Sequence, residues 1–319
     1  MRASLPTGSR SGFALLFGKP NVGKSTLLNH LVGEHLAAVS PRPQTTRQRL
    51  LGIVRQPGTE LLLVDAPGVH QPRGLLHRAM VEAATSALAE VDVVLYLAEA
   101  GWPAGAQPGS GVDIDVVGQA HRDLLRAVKK AGKPVVLVLT KIDLVERPKL
   151  LPIIDAWRQA FDFADIYPLS ALTGENASGL VGVVRQYLPE GPPLYPEEQM
   201  TDASERALAA EFIREQLFLK TQEEVPYGTA VAIDAFDEQE RESDRGPGLV
   251  RIEATIIVER ASHKGIVLGK GGERLKEIGT EARKRLEKLL GCRVWLGLHV
   301  RVVPGWTEKR ALLSELGLT

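Results

Sequence analysis

Between Gly18 and Thr26 the chain reads Gly-Lys-Pro-Asn-Val-Gly-Lys-Ser-Thr, which fits the spacing G-x-x-x-x-G-K-[ST] of a phosphate-binding loop. Gly18 and Gly23 free the backbone of Lys19, Pro20, Asn21 and Val22 to wrap closely around an anion. Successive N–H groups and the N-terminus of a following helix then face its oxygens. Lys24 is placed to bridge the β- and γ-phosphates, Ser25 to hold Mg²⁺, and Thr26 to continue the run.

Three later segments complete a nucleotide site. Asp65-Ala66-Pro67-Gly68 follows an apolar run, setting the Asp65 carboxylate behind the metal and the Gly68 N–H near the γ-phosphate. Thr140-Lys141-Ile142-Asp143 follows another run. The Asp143 carboxylate can accept hydrogen bonds from guanine N1–H and N2–H₂, which adenine lacks. Leaving that acceptor unpaired in a buried site would cost several kcal/mol by order of magnitude. Ser170-Ala171-Leu172 can present a backbone N–H to guanine O6. GTP is therefore favoured over ATP.

Pro43-Gln44-Thr45-Thr46-Arg47 lies between the loop and Asp65, where a switch threonine gives its hydroxyl to the metal and its N–H to the γ-phosphate. Thr46 is preferred over Thr45 for that role. Many GTPases carry a water-orienting glutamine directly after the DxxG glycine. Val69 stands there instead, and Gln71 is two residues too far. Catalysis then rests on Lys24, Thr46, Gly68 and the metal, with a further charge or a partner completing the site. Asn21, in the middle of the loop, resembles the pattern of GTPases in which K⁺ acts in that capacity.

A second chemistry lies near the other end. Gly269-Lys270-Gly271-Gly272 is a G-x-x-G turn between two helical stretches, and Arg274 and Lys276 follow it. Such a turn lets a nucleic-acid backbone approach its N–H groups and lysine. From Arg251 to Arg310 there are fourteen Lys/Arg against seven Asp/Glu, so charge is polarised although the whole chain is neutral.

Short apolar runs at Phe13–Phe17, Leu61–Val64, Val93–Leu97 and Val135–Leu139 predict buried strands. Helical stretches at about 24–33, 75–89, 117–131 and 148–161 alternate with them, so the first part is an α/β domain, a mostly parallel sheet with helices on both faces. Residues 1–10 read as a flexible tail, 11–188 as this domain, and 189–202, with four prolines, as an interdomain linker open to rotation. Residues 203–319 read as helix (204–220), strands (228–236, 249–258), helix, G-x-x-G, helix and strand (293–302), ending in a helix. The helix from about 273 lays Leu275, Ile278, Ala282, Leu286 and Leu289 on the sheet. Gly101–Gly111 reads as an inserted surface loop.

Length, 319 residues, suits two such domains, and 44% apolar with 24% charged residues is a soluble, folded composition. A single cysteine, Cys292, excludes an intrachain disulfide and a cysteine metal cluster. The N-terminus lacks the apolar core of a signal peptide, and no stretch reaches membrane-span length. The seven histidines are scattered, which leaves no second catalytic cluster.

With GxPNVGKST, PQTTR, DAPG, TKID and SAL followed by a Pro-rich linker and IVLGKGGERLKEIG, residues 11 to about 307 resemble the Era family: a P-loop GTPase domain joined to an α+β type II KH domain. The resemblance implies a GTPase that binds the 3′ region of 16S ribosomal RNA through the KH domain and acts in 30S subunit assembly. It implies a monomer of the cytoplasm, with some members peripherally associated with the membrane. Two departures stand out: Ala66 replaces the usual Thr of DTPG, and Thr140 replaces the usual Asn of NKxD. A rival is an RNA chaperone or related GTPase acting on another RNA, with slow, partner-dependent hydrolysis.

Overall fold

The computed structural model describes residues 8–42, 45–68, 74–101, 117–242 and 248–318. By its contacts the chain divides into two compact units, Met1–Ala37, Thr46–Gln71 and Met80–Asp202 in the first, Ala38–Thr45, Pro72–Ala79 and Ala203–Thr319 in the second. The 11–188 stretch is thus not continuous in its contacts. Two pieces flanking the nucleotide motifs pack with the C-terminal unit instead. There the Val39 N–H donates to the Glu215 carboxylate at 2.9 Å and the Leu75 N–H to Glu308 at 3.1 Å.

The first unit is built on β1 (Arg10–Gly18), β2 (Leu50–Gln56), β3 (Thr59–Asp65), β4 (Val93–Glu99), β5 (Val135–Thr140) and β6 (Asp165–Pro168). Their order is β2-β3-β1-β4-β5-β6, all parallel except β2 against β3. Helices α1 (Lys24–Val32), α2 (Leu75–Glu90), α3 (Gly118–Ala131), α4 (Arg147–Ala160) and α5 (Leu180–Arg185) intervene. Leu95 and Leu97 on one side of β4 and Val94 and Tyr96 on the other are fully buried, as a central parallel strand requires. Leu88 of α2, Val128 of α3 and Trp157 of α4 share one core with Tyr96.

β2 has no counterpart among the expected strands. Its run is broken by Gly52, where a Cβ would stand 2.8–2.9 Å from Val32 and Leu28, so α1 lies directly on the bare backbone. Arg10, assigned to the tail, begins β1. The expected loop at 101–111 falls, beyond Gly101, outside the described residues.

The Pro-rich segment is not a loose linker. Its residues are bonded along the first unit: Ser11 N–H to the Pro189 carbonyl (3.2 Å), Gly191 N–H to Ser9 (3.0 Å), Ile53 N–H to Met200 (2.8 Å). Arg55 of β2 donates to the carbonyls of Glu197, Gln199, Tyr195 and Pro196 at 2.7–3.3 Å and to Glu60 at 3.0 Å. Glu60, 2% exposed, also accepts from Ser11 Oγ (3.0 Å) and the Leu194 N–H (2.5 Å). Prolines lack N–H groups, but their carbonyls serve as well as any, which is why composition alone misreads the segment.

The second unit holds α6 (Glu205–Lys220), β7 (Thr229–Glu240), β8 (Leu249–Val258), α7 (Ala261–Leu268), α8 (Glu273–Leu290), β9 (Arg293–Val302) and α9 (Arg310–Glu315). Its sheet runs β7-β8-β9, with β7–β8 antiparallel and β8–β9 parallel. α8 buries Ile278, Ala282, Leu286 and Leu290. Leu289 of the expected stripe packs against this core while partly buried, and Leu290, 7% exposed, joins it.

Candidate functional site

The Gly18–Ser25 loop joins β1 to α1, where the motif's geometry requires it. At Gly18 a Cβ would lie 2.4 Å from the Leu97 carbonyl, so only glycine fits. Lys24 opens α1, is 6% exposed, and its Nζ donates to the carbonyls of Lys19 (2.9 Å) and Gly18 (3.3 Å). Burial lowers the pKa of its ammonium and the Asp65 carboxylate raises it. The charge is thus held inside the loop by acceptors that a phosphate can replace.

Three oxygens from separate segments converge beside it. Ser25 Oγ donates to Asp65 Oδ2 at 2.6 Å and lies 2.8 Å from Thr46 Oγ1, which is 3.4 Å from the same carboxylate oxygen. Two hydroxyls and a carboxylate form a hard, all-oxygen donor set that fits Mg²⁺. Thr45 is turned elsewhere: its hydroxyl donates to the Arg42 carbonyl at 2.8 Å and stands 2.6 Å from Ser40 Oγ. Ala66, Pro67 and Gly68 are buried directly after β3.

Thr140 ends β5 and is 1% exposed. Its hydroxyl sits 2.6 Å from the carbonyl of Val22 in the phosphate loop and 3.2 Å from that of Ala98. A threonine at this place therefore still ties the base-reading segment to the phosphate loop. Replacing it by valine keeps the shape and removes the O–H. The expected result is a GDP affinity about 5-fold weaker, from the loss of a hydrogen bond worth ~1 kcal/mol, measured by titration with a fluorescent GDP. An unchanged affinity would remove the tie from the account.

Lys141 Nζ pairs with Glu99 Oε2 at 2.8 Å. Sequence reasoning missed Glu99, because nothing at the end of β4 signals a partner 42 residues further along. Asp143 sits on a one-turn 3₁₀ helix, Ile142–Leu144, and is exposed rather than buried as expected. Only a base placed against it would shut out water. The Ser170 loop closes on itself through Gly174 N–H to the Ser170 carbonyl (3.0 Å) and Ser170 N–H to Glu175 (2.9 Å), leaving Leu172 80% exposed and Ala171 8% exposed. Pro43, Gln44, Val69 and Gln71 lie outside the described residues. Thr26, Asn21, Lys19 and Pro20 stand where the loop sequence puts them, with Asn21 exposed at φ 62°.

In the second unit Gly269–Gly272 links α7 to α8. Gly271 has φ 60° and open space around its Cβ position. Lys270 and Lys276 are exposed. Arg274 Nη1 donates back to the Ile266 carbonyl at 2.5 Å, bracing the turn.

Residues 13–141 match the family described as 50S ribosome-binding GTPase, and residues 224–307 match the KH domain. GTPase Era of Geobacter metallireducens is 46% identical over 310 residues, covering 97% of this chain and 98% of that protein. GTPase Era of Lacticaseibacillus paracasei is 42% identical over 307 residues, 96% of each. Among solved structures, Era in complex with MgGDPNP and nucleotides 1506–1542 of 16S ribosomal RNA is similar at a TM-score of 0.88. It shares 38% identity over 98% of this chain and 99% of that one. An Aquifex aeolicus Era variant bound to GDP·AlF₄⁻ gives a TM-score of 0.87 at 38% identity over 97% and 99%.

Proposed function

The chain belongs to the Era family of GTPases, and from that premise we propose that it hydrolyses GTP as a switch, binds the 3′ region of 16S ribosomal RNA through its KH domain, and acts in 30S subunit assembly. The observation that carries the switch is the meeting of Ser25, Thr46 and Asp65 beside the buried ammonium of Lys24. The RNA role is supported by the glycine turn at 269–272 and by the relative solved with a 16S fragment.

In this reading Mg²⁺, held by Ser25 and Thr46 with Asp65 behind, neutralises charge on the phosphates. Lys24 exchanges its two loop carbonyls for phosphate oxygens. Gly68 presents its N–H to the γ-phosphate, and Asp143 with the Ser170–Leu172 loop reads guanine. Water attacks the γ-phosphorus, and GDP and phosphate leave. The protein is read as a monomer of the cytoplasm. No described helix is long and apolar enough to cross a membrane.

RNA affinity measured with GTP, GDP and a non-hydrolysable analogue, alongside RNA-stimulated turnover, tests the whole. RNA binding that follows the bound nucleotide without stimulated turnover would leave the chaperone reading instead, in which GTP orders the RNA groove and hydrolysis is incidental. Asn21, exposed in the loop, would hold a K⁺, which would supply the positive charge that an arginine gives elsewhere. Single-turnover hydrolysis is expected to speed up when K⁺ replaces Na⁺, and equal rates would discard the ion.

A further inference from the structure

β9 is an edge strand of the second sheet. Val294, Leu296, Leu298, Val300 and Val302 turn into the cores beneath the helices. The alternate residues Arg293, Trp295, Gly297, His299 and Arg301 therefore form the outward row. That row contains two arginines, an indole and an imidazole, and no acid. Arg293, Trp295, His299 and Arg301 are all exposed.

Trp295 is 46% exposed, and a Cβ added at Gly297 would meet its ring at 2.8–3.0 Å. The indole thus lies over the bare backbone of Gly297, fixed against the strand and open on its far side. Any larger residue at 297 would push it off. On β8 the neighbours in register are Arg251 beside Trp295, Glu253 beside Gly297 and Thr255 beside His299. Arg251 reaches Glu240 only at 3.5 Å, and Thr255 donates to Asp234 at 2.7 Å. Glu253 is the acid next to the row on β8, while Asp234 and Glu240 of β7 lie one strand further away and are engaged by Thr255 and Arg251.

A protein-docking face sets its aromatic and arginine anchors within a packed patch, whereas Trp295 is bordered by Arg251, Arg293 and Gly297, with no apolar side chain beside it among the described residues. Here one flat aromatic is flanked by cations, the surface on which an unpaired base stacks while its phosphates are neutralised. We propose that the outward row of β9 is a second contact for single-stranded RNA, with a base stacked on Trp295 and phosphates held by Arg293 and Arg301. It extends the strand's path beyond the roughly four nucleotides that a KH groove clamps. The proposal rests on the RNA-binding reading above.

The test uses the full chain with a GTP analogue and two fluorescent RNAs of 16S 3′-terminal sequence, one of about five nucleotides and one of about twelve, read by anisotropy. The wild-type chain is expected to bind the longer RNA more tightly. Trp295→Ala is expected to weaken the longer RNA about 10-fold and leave the shorter unchanged, with Trp295→Phe restoring most of the loss. The double variant Arg293→Glu/Arg301→Glu is expected to act on the longer RNA alone and to flatten its salt dependence. Equal losses on both RNAs, or no loss on the longer, would overturn the second contact, and in the latter case the indole is left to a protein partner. If the wild-type chain binds neither RNA, it is the RNA-binding reading that fails.

Discussion

Asp143→Asn is expected to lower GTP affinity by about 100-fold or more while leaving thermal stability unchanged. The carboxylate offers acceptors to both guanine N1–H and N2–H₂. An amide keeps one acceptor and turns its NH₂ toward the guanine amino group, so two donors face each other. Xanthine carries a carbonyl at that position, and xanthosine triphosphate is expected to recover binding that GTP loses. Asp143 is exposed on a one-turn helix, so folding does not depend on it. Competition against a fluorescent nucleotide measures both effects in one experiment. A variant that bound GTP like the parent would remove guanine recognition from Asp143.

The double change Lys270→Asp/Gly271→Asp is expected to weaken RNA about 30- to 100-fold, replacing one cation by two anions where phosphate must approach. The fold should tolerate it. Lys270 is exposed, and the left-handed φ of Gly271, 60°, is one that Asp adopts more readily than most residues. Nothing lies within 4 Å of the position a Cβ would take there. Basal GTP hydrolysis should stay the same, because the altered residues lie outside the nucleotide motifs. RNA binding at the parental level would show that the turn is only a connection between helices.

Much of the nucleotide site is legible because its motifs end apolar runs. A strand's end is fixed by burial, so Lys24, Asp65 and Thr140 are placed once the sheet is drawn. The preference for Thr46 over Thr45 agrees with where the hydroxyls turn: Thr46 Oγ1 lies beside Ser25 and Asp65, while Thr45 Oγ1 faces Ser40 and the Arg42 carbonyl. β2 escaped notice because Gly52 breaks its apolar run for the sake of α1, a requirement set by another element. Asp143 looked buried because its role implies exclusion of water, yet that exclusion comes from the base. The hydrogen bond from Arg274 to the Ile266 carbonyl was not legible, because only the folded turn brings the two together.

The misread linker matters most, because prolines suggested slack where hydrogen bonds leave almost none. Met200 is bonded to Ile53, and Ser204 caps α6 by accepting the Ala207 N–H at 3.2 Å. Thr201, Asp202 and Ala203 alone remain between those anchors, a span of roughly 10 Å at full extension. A segment that short, anchored at Met200 and ending at the Ser204 cap, holds almost no slack of its own.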